Sequence, residues 1–64
     1  MKTVIVSGSF DDMRARDIRF LQEASRYGYL HALVWGDDAI EGRPKFPQEE
    51  RMYMMDAIRY VDRA

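Results

Sequence analysis

Three charged residues, Arg14, Arg16 and Asp17, follow closely on the turn-forming run Gly8-Ser9-Phe10-Asp11-Asp12, and this is the part of the chain best suited to phosphate chemistry. An arginine is a permanent cation with several donors, matched to phosphate or carboxylate oxygens. A glycine turn that opens a helix also places backbone N–H groups where an anion can sit. Asp17 has the opposite character, since an ionised carboxylate only accepts hydrogen bonds. The same residues have a purely structural account. In it Gly8 makes a tight turn, Asp11 or Asp12 caps a helix, and Asp17 favours the helix dipole beside a neighbouring Arg.

The elements that must position these residues are legible on either side. Lys2 to Ser7 is rich in β-branched residues without polar alternation, and the pattern predicts a strand buried on both faces. From about Arg14 to Tyr27, Ile18, Leu21 and Ala24 recur at helical spacing, with Phe20 widening the stripe. Tyr29 to Trp35 is again mostly apolar and is bounded by Gly28 and by Gly36-Asp37-Asp38, which predicts a second strand. Asp37 and Asp38 then stand at the carboxyl end of a parallel strand, where open α/β sheets bind ligands, although turn formation explains them equally well. Ala39 to Phe46 reads as a loop. Pro47 suits the first turn of a second helix, with Gln48, Glu49 and Glu50 at its positive end and Arg51 to Arg63 continuing it. Met54, Ile58 and Val61 form its expected apolar stripe, broadened by Met55.

Strand, helix, strand, helix implies an α/β unit of β-α-β-α order, with a parallel pair joined by a right-handed crossover. The 64 residues make one domain, and so short a chain hides only about 60% of the surface its unfolded form exposes. The absence of cysteine excludes disulfide staples, and one His31 with scattered carboxylates supplies no dedicated metal site. His31, among apolar neighbours in a strand, reads as structural rather than as a ligand or base. Two strands and two helices cannot cover both sheet faces and close both edges, so the unit is read as half of something larger; either more strands exist elsewhere or a second copy supplies them, and completion by self-association is the expectation. The Met-rich second helix suits such a homo-oligomer, a homodimer being the simplest. Ten basic and eleven acidic residues cancel to a net charge of −1, which points away from nucleic acid and from a membrane surface. No apolar run is long enough to span a bilayer, and Asp11 and Asp12 end the first one too early for a signal peptide, so a cytoplasmic location is expected.

Gly8-Ser9-Phe10-Asp11, then Arg14, Asp17 and Ile18-Arg19-Phe20-Leu21, resembles the signature of the cytidylyltransferase-like nucleotidyltransferases, in which Gly-x-Phe-Asp precedes a His-x-Gly-His box at the start of the first helix. Trp35-Gly36-Asp37-Asp38, Gly42-Arg43-Pro44, Glu50-Arg51 and Ile58-Arg59-Tyr60-Val61-Asp62 resemble the family's following strand end, loop and helix. The resemblance covers nearly the whole chain and implies the first half of a Rossmann-like fold. It implies transfer of CMP or AMP from CTP or ATP, with Mg2+, to a phosphorylated alcohol or sugar. By position it makes Arg14 and Asp17 the catalytic candidates and Gly8, Ser9, Phe10, Asp11 and Arg51 the nucleotide-binding ones.

The departures from the family pattern are specific. Arg14 falls at the first histidine of the box, Arg16 at its glycine and Asp17 at its second histidine. Arg14 can take over part of the phosphate contact, whereas Asp17 beside a triphosphate adds like-charge repulsion unless Arg14 or Arg16 pairs with it. The loop before Pro44 has no lysine, and Lys45, after the proline, need not reach the same place. Ala64 falls where the family begins its third strand. These departures support a second reading, a non-catalytic module that binds a nucleotide or anion, or that serves in assembly.

Overall fold

The computed structural model describes residues 2–64. Strand β1 (Thr3–Gly8) leads to helix α1 (Ala15–Ser25), strand β2 (Tyr29–Val34), a single 3-10 turn at Asp37–Ala39 and helix α2 (Gln48–Asp56). The β-branched run Thr3 to Val6 favours extended backbone, and β1 pairs in parallel with β2, with Val4 opposite Leu30, Val6 opposite Ala32 and Gly8 opposite Val34. A parallel pair needs a crossover, and α1 supplies it. The turn out of α1 depends on Gly28, which lies at φ 153°, where a Cβ would run into the Lys2 carbonyl. The chain is therefore α/β in β-α-β-α order, as its pattern predicts.

Both helices lie over one face of this sheet. Leu21 from α1, Leu30 and Ala32 from β2, Met55 from α2 and Val61 form the core, with Val4 and Val6 of β1 packed against them. Each fully buried Leu or Met side chain contributes about 1.5–3 kcal/mol. The other face, carrying Ile5, Ser7, His31 and Leu33, is open; Ile5 is 60% and Leu33 45% exposed. The expectation that β1 is buried on both faces is thus corrected. Its residues alternate between exposed and half-buried, because no described element covers the second face. Phe20 likewise lies outside the core, 55% exposed, so the α1 stripe is narrower than its spacing suggests.

The second helix is also shorter than its sequence suggests. It ends at Asp56, and the N–H groups of Ala57 and Ile58 close onto the carbonyls of Met54 and Met55. Beyond that turn the chain runs along the edge of β2 away from β1. Ala32 N–H donates to the Arg63 carbonyl at 2.8 Å, Asp62 N–H donates to the Leu30 carbonyl at 3.0 Å, and the Asp62 carboxylate accepts Leu30 N–H at 2.7 Å. His31 and Arg63 form a parallel bridge there. Satisfying the donors of a strand edge outweighs two further helical turns. Consequently Met54 is exposed, while Arg51 and Met55, one turn apart, form the inward face of α2. Among the described residues no helix is long and apolar enough to cross a membrane.

Candidate functional site at the carboxyl end of the sheet

Two βα turns meet at the carboxyl ends of β1 and β2. The first runs from Ser9 to Arg14 and the second from Trp35 to Pro47. Arg51, on the first full turn of α2, joins them. Its side chain is 1% exposed, and its Nε donates to the Phe46 carbonyl at 2.9 Å. Nη1 donates to the Ser9 carbonyl at 2.7 Å and to the Trp35 carbonyl at 2.8 Å, while Nη2 donates to Asp37 Oδ1 at 2.6 Å. One planar fork thereby fixes the exit of β1, the exit of β2 and the entry to α2, which a single-point ammonium could not do. Asp37 Oδ1 also accepts the N–H of Gln48, so the same carboxylate caps α2.

Asp11 makes the second connection. Its two oxygens accept Lys45 N–H at 2.7 Å and Phe46 N–H at 3.1 Å, so a residue of the first turn holds the backbone of the second. Asp12 makes a third through side chains alone. Its Oδ2 lies 3.1 Å from Arg14 Nη2 and 3.3 Å from Lys45 Nζ. The Arg14 guanidinium, followed by the Lys45 ammonium, holds the Asp12 carboxyl below its ordinary value of 3.8.

The first turn is bent into this shape at a conformational cost. Phe10 has φ 50° and Asp12 φ 66°, both in the left-handed region that side chains other than glycine seldom occupy. For Asp this is tolerable. For Phe it is a strained conformation, held because the ring packs against the core and against the Gly8 backbone, where an added Cβ would meet the ring at 3.4 Å.

The structure brings Gly8, Ser9, Phe10, Asp11, Arg14 and Arg51 into one neighbourhood, with Asp17 at its border. Asp17 Oδ2 accepts Arg14 N–H at 2.8 Å, which makes it the reciprocal cap of α1. The Arg14 side chain turns to Asp12 instead of Asp17. Arg51 stands beneath the site with its guanidinium committed to protein acceptors, so it acts on the site through the loops it holds. Lys45, which sequence order seemed to keep away, is carried to the first turn by Asp11. No signal in the sequence marks that contact, because its partners are far apart along the chain.

The chain is similar to FAD synthases. It is 36% identical over 67 residues to the FAD synthase of Methanohalophilus mahii, a match that takes in 100% of this chain and 47% of that protein. The FAD synthase of Ferroglobus placidus is also 36% identical over 67 residues, with 100% of this chain and 44% of that protein covered. That of Archaeoglobus fulgidus is 35% identical over 63 residues, covering 94% and 46%. The chain spans about half the length of the curated relatives it matches. No family model matches it.

Proposed function

We propose that this chain is the phosphate-handling part of a nucleotidyltransferase that moves AMP from ATP to the phosphate of FMN. In that reaction an FMN phosphate oxygen forms a bond to the α-phosphorus of ATP, the bond between that phosphorus and the bridging oxygen to the β-phosphate breaks, and pyrophosphate leaves. CTP with a phosphorylated alcohol or sugar is the same chemistry on other substrates; the FAD synthase relatives favour ATP and FMN. The observation that carries the reading is the joining of the two βα turns at the carboxyl ends of parallel strands, the place where open α/β sheets bind ligands.

Transfer of this kind is mainly positioning and charge stabilisation. Gly8, Ser9 and Phe10 offer backbone groups in a turn whose shape Arg51 and the Phe10 ring maintain. Arg14 supplies the cation nearest the start of α1. Asp17 serves by capping that helix rather than by touching phosphate. The residues present do not fit a protein cage for Mg2+. Asp11 spends both oxygens on backbone N–H groups, Asp12 is taken by two cations and Asp37 by Arg51. A magnesium ion would therefore come with the nucleotide, held mostly by its phosphates.

Calorimetric titration of the chain with ATP and with CTP in the presence of magnesium tests the binding half of the proposal. Chromatography of FMN and FAD after incubation with ATP tests the transfer. Saturable binding of ATP is the expected result, and no heat at millimolar nucleotide removes the proposal.

A second reading, a non-catalytic module completed by self-association, is favoured by the open sheet face. Ile5 and Leu33 lie diagonally across β1 and β2 there, opposite His31 and Ser7, and among the described residues nothing pairs with the outer edge of β1. A second copy covering that face would bury both. Light scattering should then report a dimer, and a folded monomer at micromolar concentration would refute it.

A further inference from the structure

We propose that Asp12, Arg14 and Lys45 form an exchangeable anion site, in which the Asp12 carboxylate holds two cations in place until a phosphate chain displaces it. The identity of that chain, the polyphosphate of a nucleotide or the phosphate of its acceptor, rests on the nucleotidyl-transfer reading; the exchange itself does not. Two cations from different turns converge on one oxygen, Arg14 Nη2 at 3.1 Å and Lys45 Nζ at 3.3 Å from Asp12 Oδ2. One carboxylate neutralises only one of them. Asp11 accepts the N–H groups of Lys45 and Phe46 and one oxygen of Asp17 accepts that of Arg14, so neither of these acids forms an ion pair with the two cations.

The backbones beneath the two cations are fixed while their side-chain pairing is loose. Lys45 is anchored through its own N–H and that of Phe46 on Asp11, and Arg14 through its N–H on Asp17. Asp12, Arg14 and Lys45 are themselves exposed, so their ion pairs are weak and screened by salt. A phosphate chain brings more charge and more acceptor oxygens than one carboxylate. It can take the guanidinium fork and the ammonium at the same time. The left-handed backbone of Asp12 turns its carboxylate toward both cations, and asparagine tolerates that conformation equally well. Asp12→Asn therefore removes the competing charge without forcing the turn to change.

The test is calorimetric titration of the chain with inorganic tripolyphosphate. Lys45→Gln should weaken binding about tenfold, the usual effect of losing a hydrogen bond to a charged group. Asp12→Asn should tighten it severalfold, and that gain should shrink in the Lys45→Gln background, since the two residues act on one another. Glu23→Gln, an equal charge change at the far end of α1, sets the long-range baseline. Parallel titrations with ATP and with FMN show which phosphate uses the site, as only that one should follow the Lys45→Gln loss. Unchanged tripolyphosphate affinity in Lys45→Gln, or no gain in Asp12→Asn beyond that of Glu23→Gln, overturns the exchange site. Tripolyphosphate binding with the expected pattern but no conversion of FMN to FAD would leave this site standing and remove the transfer reading alone.

Discussion

The two βα turns of this small sheet are built on opposite plans. The second, from Trp35 to Pro47, is organised around a buried guanidinium that satisfies three carbonyls and a carboxylate. The first, from Ser9 to Arg14, is organised around strained backbone and exposed ion pairs. Burial makes the first kind of contact costly to break and the second kind easy to exchange. The proposed phosphate site needs both rigid positioning and replaceable charge, and the two adjacent turns supply one each. Asp11 ties one to the other.

The largest effect should come from breaking the rigid turn. Arg51→Ala removes four hydrogen bonds at once and leaves the carbonyls of Ser9, Trp35 and Phe46 without their donor, at about 1–3 kcal/mol for each acceptor left unpaired away from water. In so small a domain this should abolish the cooperative thermal transition seen by circular dichroism. Arg51→Lys should fail in the same direction, because an ammonium cannot reach Ser9, Trp35 and Phe46 together. A variant that melts like the parent would mean that the buried fork does not hold the turns.

Cutting the tie between the turns should cost less. Asp11→Ala leaves the N–H groups of Lys45 and Phe46 to water, for about 1–2 kcal/mol, and amide exchange at those two positions should quicken while that of β1 and β2 stays slow. Equal quickening throughout would show that Asp11 stabilises the whole domain rather than the junction.

Asp17→His sharpens the comparison at the helix start. Loss of the carboxylate that accepts Arg14 N–H should lower stability by about 1 kcal/mol, while nucleotide binding should strengthen because a negative charge leaves the border of the site. Affinity for ATP unchanged after this substitution would show that the first turn is not where phosphate sits.

The smallest effect concerns acid. Asp12 titrates below its ordinary value of 3.8 because Arg14 and Lys45 favour its charged form. Its contribution to stability is therefore complete above that value and disappears as pH falls through the lowered folded value. The Asp12 carboxyl resonance should move at a lower pH in the parent than in Lys45→Gln. Coincident titration curves would contradict the pairing.

Much of this was legible in the sequence, and the part that was not has a common cause. The β-branched run of β1, the turn signals at Gly8 and Gly28 and the spacing of Leu21 gave the element order without any tertiary knowledge. Arg51 stood in a helix whose charged residues ordinarily face water, and only three carbonyls and the Asp37 carboxylate, all from outside that helix, make its burial tolerable. Once Arg51 turned inward, Met54 of the expected stripe could not lie on the buried face, while Ile58 and Val61 reached the core from beyond the end of the helix. Lys45 looked misplaced because its distance from the first turn was measured along the chain, whereas Asp11 closes that distance in space. Local propensity predicts elements; long-range satisfaction of polar groups decides which charged residues go inside.

The central claim, that both βα turns form one phosphate site, is tested most directly by following backbone amide resonances of the 64-residue chain as ATP with magnesium is added. The account predicts saturable shifts at Gly8 to Arg14 together with Lys45 and Phe46, sharing one dissociation constant, with little change on the open face around Ile5 and Leu33. Shifts confined to one turn, shifts centred on the open face, or no shifts at millimolar nucleotide would contradict it.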